Sequence, residues 1–259
     1  MDQTTTHPAT APGVPPGTEA EPLLVANGVS KIYRTGTVEV RALDALDLAV
    51  RPGELVAVMG PSGSGKTTML NCLSGLDDID EGVVSVSGRD LFAMTDAERT
   101  DHRARTMGFV FQSFNLIPVF DAVENVELPL LLTGTSPREA RERSLDMLQT
   151  VGLGLRAKHR PNELSGGEQQ RVTIARALVA KPAIVWADEP TGNLDTAMAH
   201  SVMELLQRLN AEQGQTIVLV THDPAIGASA SRLVRMQDGR LKSDEHQPSP
   251  TPLRMPTPR

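Results

Sequence analysis

Residues 60–67, GPSGSGKT, constrain this chain more than any other stretch. The run fits G-x-x-x-x-G-K-[ST], follows the apolar strand LVAVM and leads into TMLNCLSGL, which reads as a helix. Gly60, Gly63 and Gly65 let the backbone fold tightly around a ligand. The amides of the loop, including those of Ser62 and Ser64, then converge at a helix amino terminus, where an anion is favoured. Lys66 would reach the β- and γ-phosphates of a nucleotide, and the Thr67 hydroxyl would ligate Mg²⁺.

A second apolar run, AIVWADEP, ends in two carboxylates. Asp188 suits the shell of a magnesium ion, and Glu189 is placed to orient or deprotonate an attacking water. This strand is expected to lie beside the phosphate-loop strand, with both carboxylates at the carboxyl edge of a parallel sheet. A third feature is LSGGEQQR at 164–171. Ser165 and Glu168 fit a capping box, so a helix begins there. Gly166 and Gly167 in its first turn cost roughly 1 kcal/mol each relative to alanine. Glycines at that cost favour close approach to a ligand, and bare amides at a helix start favour phosphate. One chain thus carries two phosphate cradles, and one nucleotide needs only one. Two chains facing head to tail, each lending its second cradle to the other, is the economical reading.

The rest of the chain supports an α/β enzyme. Short β-rich runs occupy 23–60, and 92–165 reads as helical, with capping boxes expected at Thr95/Glu98 and Ser136/Glu139 and a stop at Gly152. Apolar strands alternate with helices from 183 onward, which suggests a parallel sheet buried on both faces. The proline-rich ends, 1–22 and 243–259, read as disordered tails around a folded unit at 23–242. A net charge of −7 argues against a nucleic-acid binder that relies on bulk positive charge. The single cysteine, Cys72, precludes an internal disulfide, fits a reducing compartment and reads as a small buried apolar residue. No apolar run approaches the roughly 20 residues of a spanning helix, and the first residues do not read as a secretory signal, so a membrane role is expected through a partner.

These motifs together resemble the ATP-binding subunits of ABC transporters over roughly 23–242. They stand in family order: GPSGSGKT as Walker A, FVFQSFNLIP carrying the Q-loop, LSGGEQQ as the signature, IVWADEP as Walker B, NLD as the D-loop and THD with the switch histidine. FQSFNLIP, ENVELPLLL and DEPTGNLD are similar to the subgroup of MacB-like, LolD-like and FtsE-like proteins. The resemblance implies a P-loop NTPase core with a mostly parallel sheet, an antiparallel β subdomain and an α-helical subdomain. It implies ATP and Mg²⁺ as cofactors, a homodimer closed over two nucleotides, and no nucleic-acid partner. It also implies an integral four-span permease that holds the chain at the cytoplasmic face of the membrane.

The resemblance also assigns roles. Gln112 matches the residue that touches Mg²⁺ and the attacking water, and His222 matches the one that contacts the γ-phosphate. Tyr33 stands where an aromatic ring stacks on adenine. Thr68 completes the phosphate loop, Asp195 acts across the dimer, and Ser165, Gly166 and Gly167 bind the nucleotide of the opposite chain. Trp186, bulkier than the usual residue, reads as core packing. Export or lipoprotein or lipid release is the expected function. An FtsE-like ATPase that signals to cell-wall remodelling is the alternative. A soluble ABC ATPase of repair or translation does not fit one unit without a long coiled coil.

Overall fold

The computed structural model describes residues 21–247. The chain starts with a hairpin of β1 (Leu24–Thr35) and β2 (Val38–Val50), then β3 (Leu55–Met59) and α1 (Lys66–Leu73). Next come β4 (Glu81–Val86), β5 (Arg89–Asp90), α2 (Asp96–Thr106) and β6 (Met107–Phe111). α3 (Ala122–Leu132), α4 (Pro137–Thr150), α5 (Gly166–Leu178), β7 (Ile184–Asp188) and α6 (Thr196–Gln213) follow. The described chain ends with β8 (Thr216–Thr221), α7 (Pro224–Ala228), β9 (Arg232–Gln237) and β10 (Arg240–His246). Among the described residues no helix is long and apolar enough to cross a membrane.

Two sheets result: an antiparallel one in the order β2-β1-β4-β5 and a six-stranded one in the order β10-β9-β3-β8-β7-β6. In the second, five strands are parallel and only β10 runs against its neighbour. Alternation along each central strand divides the core in two. Val56, Val58, Ile184, Trp186, Val218 and Val220 face the antiparallel sheet and α1. Leu55, Ala57, Val185, Ala187, Ile217 and Leu219 face the side packed by α3 to α7. Both faces are therefore covered, which is why these strands read as unbroken apolar runs. Trp186 is fully buried, as its core-packing reading requires, and Cys72 is buried as well.

Several expectations are corrected. β7 does not lie beside the phosphate-loop strand: β8 sits between them, paired in parallel with β3 on one side and β7 on the other. All three strands are buried on both faces, so their patterns contain nothing that orders them. The carboxyl-edge placement of the two acids holds nonetheless, since Asp188 stands opposite Val220 and Met59 opposite Thr221. The segment 92–165 is not wholly helical, because β6 within it forms the outer strand of the main sheet. The folded unit runs past 242: β10 continues to His246, held where Arg232 donates to both carboxylate oxygens of Asp244 at 2.7 and 2.6 Å. The remainder of both expected tails, 1–20 and 248–259, lies outside the described residues. Ser136 caps α4 through the Glu139 amide only, and the Glu139 carboxylate pairs instead with Arg143. Thr95 and Ser165 do form full capping boxes. Gly152 follows α4 with φ of 78°, the left-handed turn that ends a helix.

Candidate nucleotide site

The phosphate loop leaves β3 and turns into α1 through Gly65, whose φ of 96° only glycine adopts readily. A Cβ there would stand 2.4 Å from the Ala42 carbonyl oxygen, and one on Gly60 would stand 2.3 Å from that of Met236. The loop is thus clamped between β2 and the β9–β10 hairpin, and the Gly239 amide donates to the Ser64 carbonyl at 3.1 Å. Lys66 Nζ donates to the Gly60 and Pro61 carbonyls at 2.8 and 2.9 Å, so the loop curls around its ammonium. The Ser64 hydroxyl is buried behind the loop against Gly60, without a hydrogen-bond partner.

The loop borders a cavity of about 810 Å³. Ser62, Gly63, Gly65, Lys66, Thr67 and Thr68 line one wall, and Glu189 and His222 close the far end. Tyr33 stands at the mouth, opposite Val40 in the β1–β2 ladder. Gly60 and Ser64 build the loop from behind rather than facing the cavity.

Glu189 and His222 emerge from the adjacent strands β7 and β8. Glu189 holds a positive φ of 46°, an uncommon backbone for a residue with a Cβ. Its amide donates to the Val220 carbonyl at 3.0 Å, which anchors the turn that aims its carboxylate. That carboxylate lies 2.9 and 3.0 Å from His222 Nδ1.

Thr67 Oγ1 donates to Asp188 Oδ1 at 3.3 Å. Burial pushes the Asp188 carboxyl above the usual carboxylate range; the Thr67 bond and Lys66 pull it down, while Glu189 adds to the rise. Two hard oxygens side by side suit a magnesium ion that takes its remaining ligands from phosphate and water.

Other expected residues lie off the cavity wall. Gln112 is tied to the loop after β7: its Nε2 donates to Asn193 Oδ1 at 3.3 Å, and Asn193 Nδ2 donates to the Gln112 carbonyl at 2.9 Å. Asp195 caps α6 by accepting from the Met198 amide at 2.8 Å. Ser165 and Gly167 border a separate hollow with Arg171 and Met198, and Gly166 packs on Leu194. Within one chain the two cradles are not joined. Burial pushes the Cys72 thiol up to about 12, so it is an inert core group.

Sequence reasoning missed three features. Gly192 is one: a Cβ there would stand 2.7 Å from Gln112 Nε2. Arg41 and Asp238 on the cavity rim are another. For Asp238 a signal was present in the Asp238-Gly239 pair, the turn of the β9–β10 hairpin that brings Asp238 to the loop. Asp77, which bonds the Tyr33 hydroxyl at 2.7 Å, is the third.

A phosphate loop at the carboxyl edge of a parallel sheet, with a carboxylate–histidine pair at the far end of its cavity, defines a P-loop nucleoside triphosphatase. The ABC transporter family profile matches residues 43–192 of the chain. The lipoprotein-releasing system ATP-binding protein LolD of Chromohalobacter salexigens is 47% identical over 224 residues, covering 86% of this chain and 94% of that protein. The macrolide export ATP-binding/permease protein MacB of Syntrophobacter fumaroxidans is 46% identical over 224 residues, but these cover only 31% of that longer protein. A solved dimeric ATP-binding cassette in a post-hydrolysis state bound to ADP and Pi superposes with a TM-score of 0.79 at 43% identity, covering 86% of this chain and 98% of that one. A dimeric bacterial ABC transporter cassette gives 0.80 at 44% identity, with the same coverage. The chain belongs to the ABC transporter family, as an ATP-binding and ATP-hydrolysing subunit.

Proposed function

We propose that this subunit hydrolyses ATP in a homodimer closed over two nucleotides and thereby drives a four-span, MacB- or FtsX-like permease at the cytoplasmic face of the membrane. Lipoprotein release or export is the favoured process, because relatives at 45–47% identity carry those names over most of this chain. That likeness favours transport over FtsE-like signalling to the cell wall.

The pairing of Glu189 with His222 in the cavity that Lys66 also lines carries the chemical reading. Glu189 orients water for in-line attack on the terminal phosphate and takes its proton. Lys66 and His222 balance the charge that develops on the transferring group. Thr67 and Asp188 hold Mg²⁺, which when bound neutralises phosphate charge. Tyr33 supports the adenine, and Gly60, Ser62, Gly63, Ser64, Gly65 and Thr68 wrap the phosphates. Ser165, Gly166 and Gly167 of one chain complete the site of the other, with Asp195 beside that contact. Gln112, held by Asn193 outside the cavity here, swings in as the dimer closes and links the site to the permease.

The test is to purify Glu189→Gln protein with ATP from detergent-solubilised membranes of its own host and identify what accompanies it. Recovery of a four-span membrane protein with a large extracytoplasmic domain supports the pairing. Recovery of ribosomes, DNA or no membrane protein overturns the transport reading and leaves the ATPase intact.

A further inference from the structure

Lys31 and Tyr33 sit two residues apart on β1, so strand alternation puts both side chains on one face. The Lys31 ammonium stands 5.1 Å from the centroid of the Tyr33 ring, within reach of a cation–π contact, and does not line the cavity. The ring, 39% exposed, borders the cavity mouth.

One carboxylate holds both side chains. Tyr33 Oη donates to Asp77 Oδ2 at 2.7 Å, and Lys31 Nζ donates to Asp77 Oδ1 at 2.8 Å. The Asp78 amide donates to the same Oδ1 at 2.8 Å, and Lys31 also donates to the Asp78 carbonyl at 2.7 Å. Asp77 follows α1, and its amide bonds back to the Asn71 carbonyl in that helix at 3.1 Å. The turn that follows the helix begun at the phosphate loop therefore carries the residue that grips the ring. Burial pushes the Tyr33 phenol up, the bond to Asp77 pushes it the same way, and a bond from the Thr68 side chain opposes them. Burial opposes ionisation of Asp77, but the bonds from Lys31 and Tyr33 outweigh it and hold that carboxyl below its ordinary value.

We propose that Asp77 is the positioning residue of the base-binding end of the cavity: it locks the Tyr33 ring and the Lys31 ammonium into one rigid platform for a purine. This rests on the reading of Tyr33 as the adenine-stacking ring. A ring fixed before binding has no rotamer freedom left to lose when the base arrives. Anchoring it to the end of α1 also sets the distance between the base platform and the phosphate loop.

The test compares binding of MgATP with binding of magnesium tripolyphosphate, which has no base, to the full chain. Asp77→Ala weakens ATP about threefold to tenfold and leaves tripolyphosphate unchanged. Tyr33→Phe keeps the ring and loses the tether to Asp77 together with the hydroxyl's bond to Thr68, so its ATP affinity falls between those of the parent and Tyr33→Ala. Tyr33 is the only tyrosine, so phenol absorbance reports it alone, and its titration midpoint falls in Asp77→Ala. Parent-like ATP binding by Asp77→Ala or by Tyr33→Phe, with Tyr33→Ala weakened, overturns the positioning role and spares the platform. Parent-like binding by Tyr33→Ala overturns the platform itself. An equal loss of ATP and tripolyphosphate in Asp77→Ala places its effect on the phosphate loop and also overturns the proposal.

Discussion

His222 donates from Nδ1 to both carboxylate oxygens of Glu189, at 2.9 and 3.0 Å, although 33 residues separate them. Where the Glu189 oxygens accept, Nδ1 carries the hydrogen of this pair. The two side chains therefore act as a unit. Glu189→Gln and His222→Ala should each lower ATP hydrolysis by about 10²- to 10⁴-fold. The double variant should fall little below the worse single one, because groups that act together lose their effect together. Phosphate release at saturating MgATP measures this, and multiplying losses would mean the two work separately.

Glu189→Gln removes the proposed base and keeps the shape of the cavity wall. With ATP it should accumulate as a dimer, because the closed state no longer turns over, and without nucleotide it should run as a monomer. Size-exclusion chromatography with light scattering reads this directly. A monomer at saturating ATP would contradict a nucleotide-sandwiched dimer.

Gly65 and Gly63 share a positive φ but differ in surroundings. A Cβ on Gly65 would meet the Ala42 carbonyl oxygen at 2.4 Å, whereas one on Gly63 meets nothing within 4 Å. Both alanine substitutions incur backbone strain, about 1–3 kcal/mol, and only Gly65→Ala adds a clash with main chain. Thermal melts should rank Gly65→Ala well below Gly63→Ala, and equal melts would contradict the backbone clash at Gly65.

Arg232 is buried and bonds Asp244 and Glu54, tying β10 to the main sheet. The Arg232 bond holds the Asp244 carboxyl below its usual range, with burial opposing. A carboxyl whose folded pKa is depressed stabilises the fold fully above its unfolded value, near 3.9, and loses that contribution as pH falls through the folded pKa. The parent should exceed Asp244→Asn in stability at neutral pH, and the gap should close as pH drops below about 4. Denaturant melts across that range test the sign, and a gap that widens in acid would refute it.

Much of the site was legible because its chemistry is local. A phosphate loop needs its glycines, lysine and threonine within eight residues, and Ser165 and Glu168 must stand three apart to cap a helix. Both arrangements formed as their spacing required. What failed to show in the sequence depends on partners far along the chain. Asp77 lies 44 residues from Tyr33, and Asn193 lies 81 from Gln112. The acids of 244–245 read as part of a proline-rich end until Arg232, twelve residues away, claimed Asp244.

The sequence by itself determined that this chain binds a nucleoside triphosphate at a strand–loop–helix and carries two carboxylates at the end of a second apolar strand. Spacing along one backbone suffices for that. Only the tertiary structure decided that β8 stands between β3 and β7, which places His222 beside Glu189. Strands apolar on both faces pack equally well in any order as far as their own side chains can tell. The order emerges from the crossovers and from the helices that cover each face.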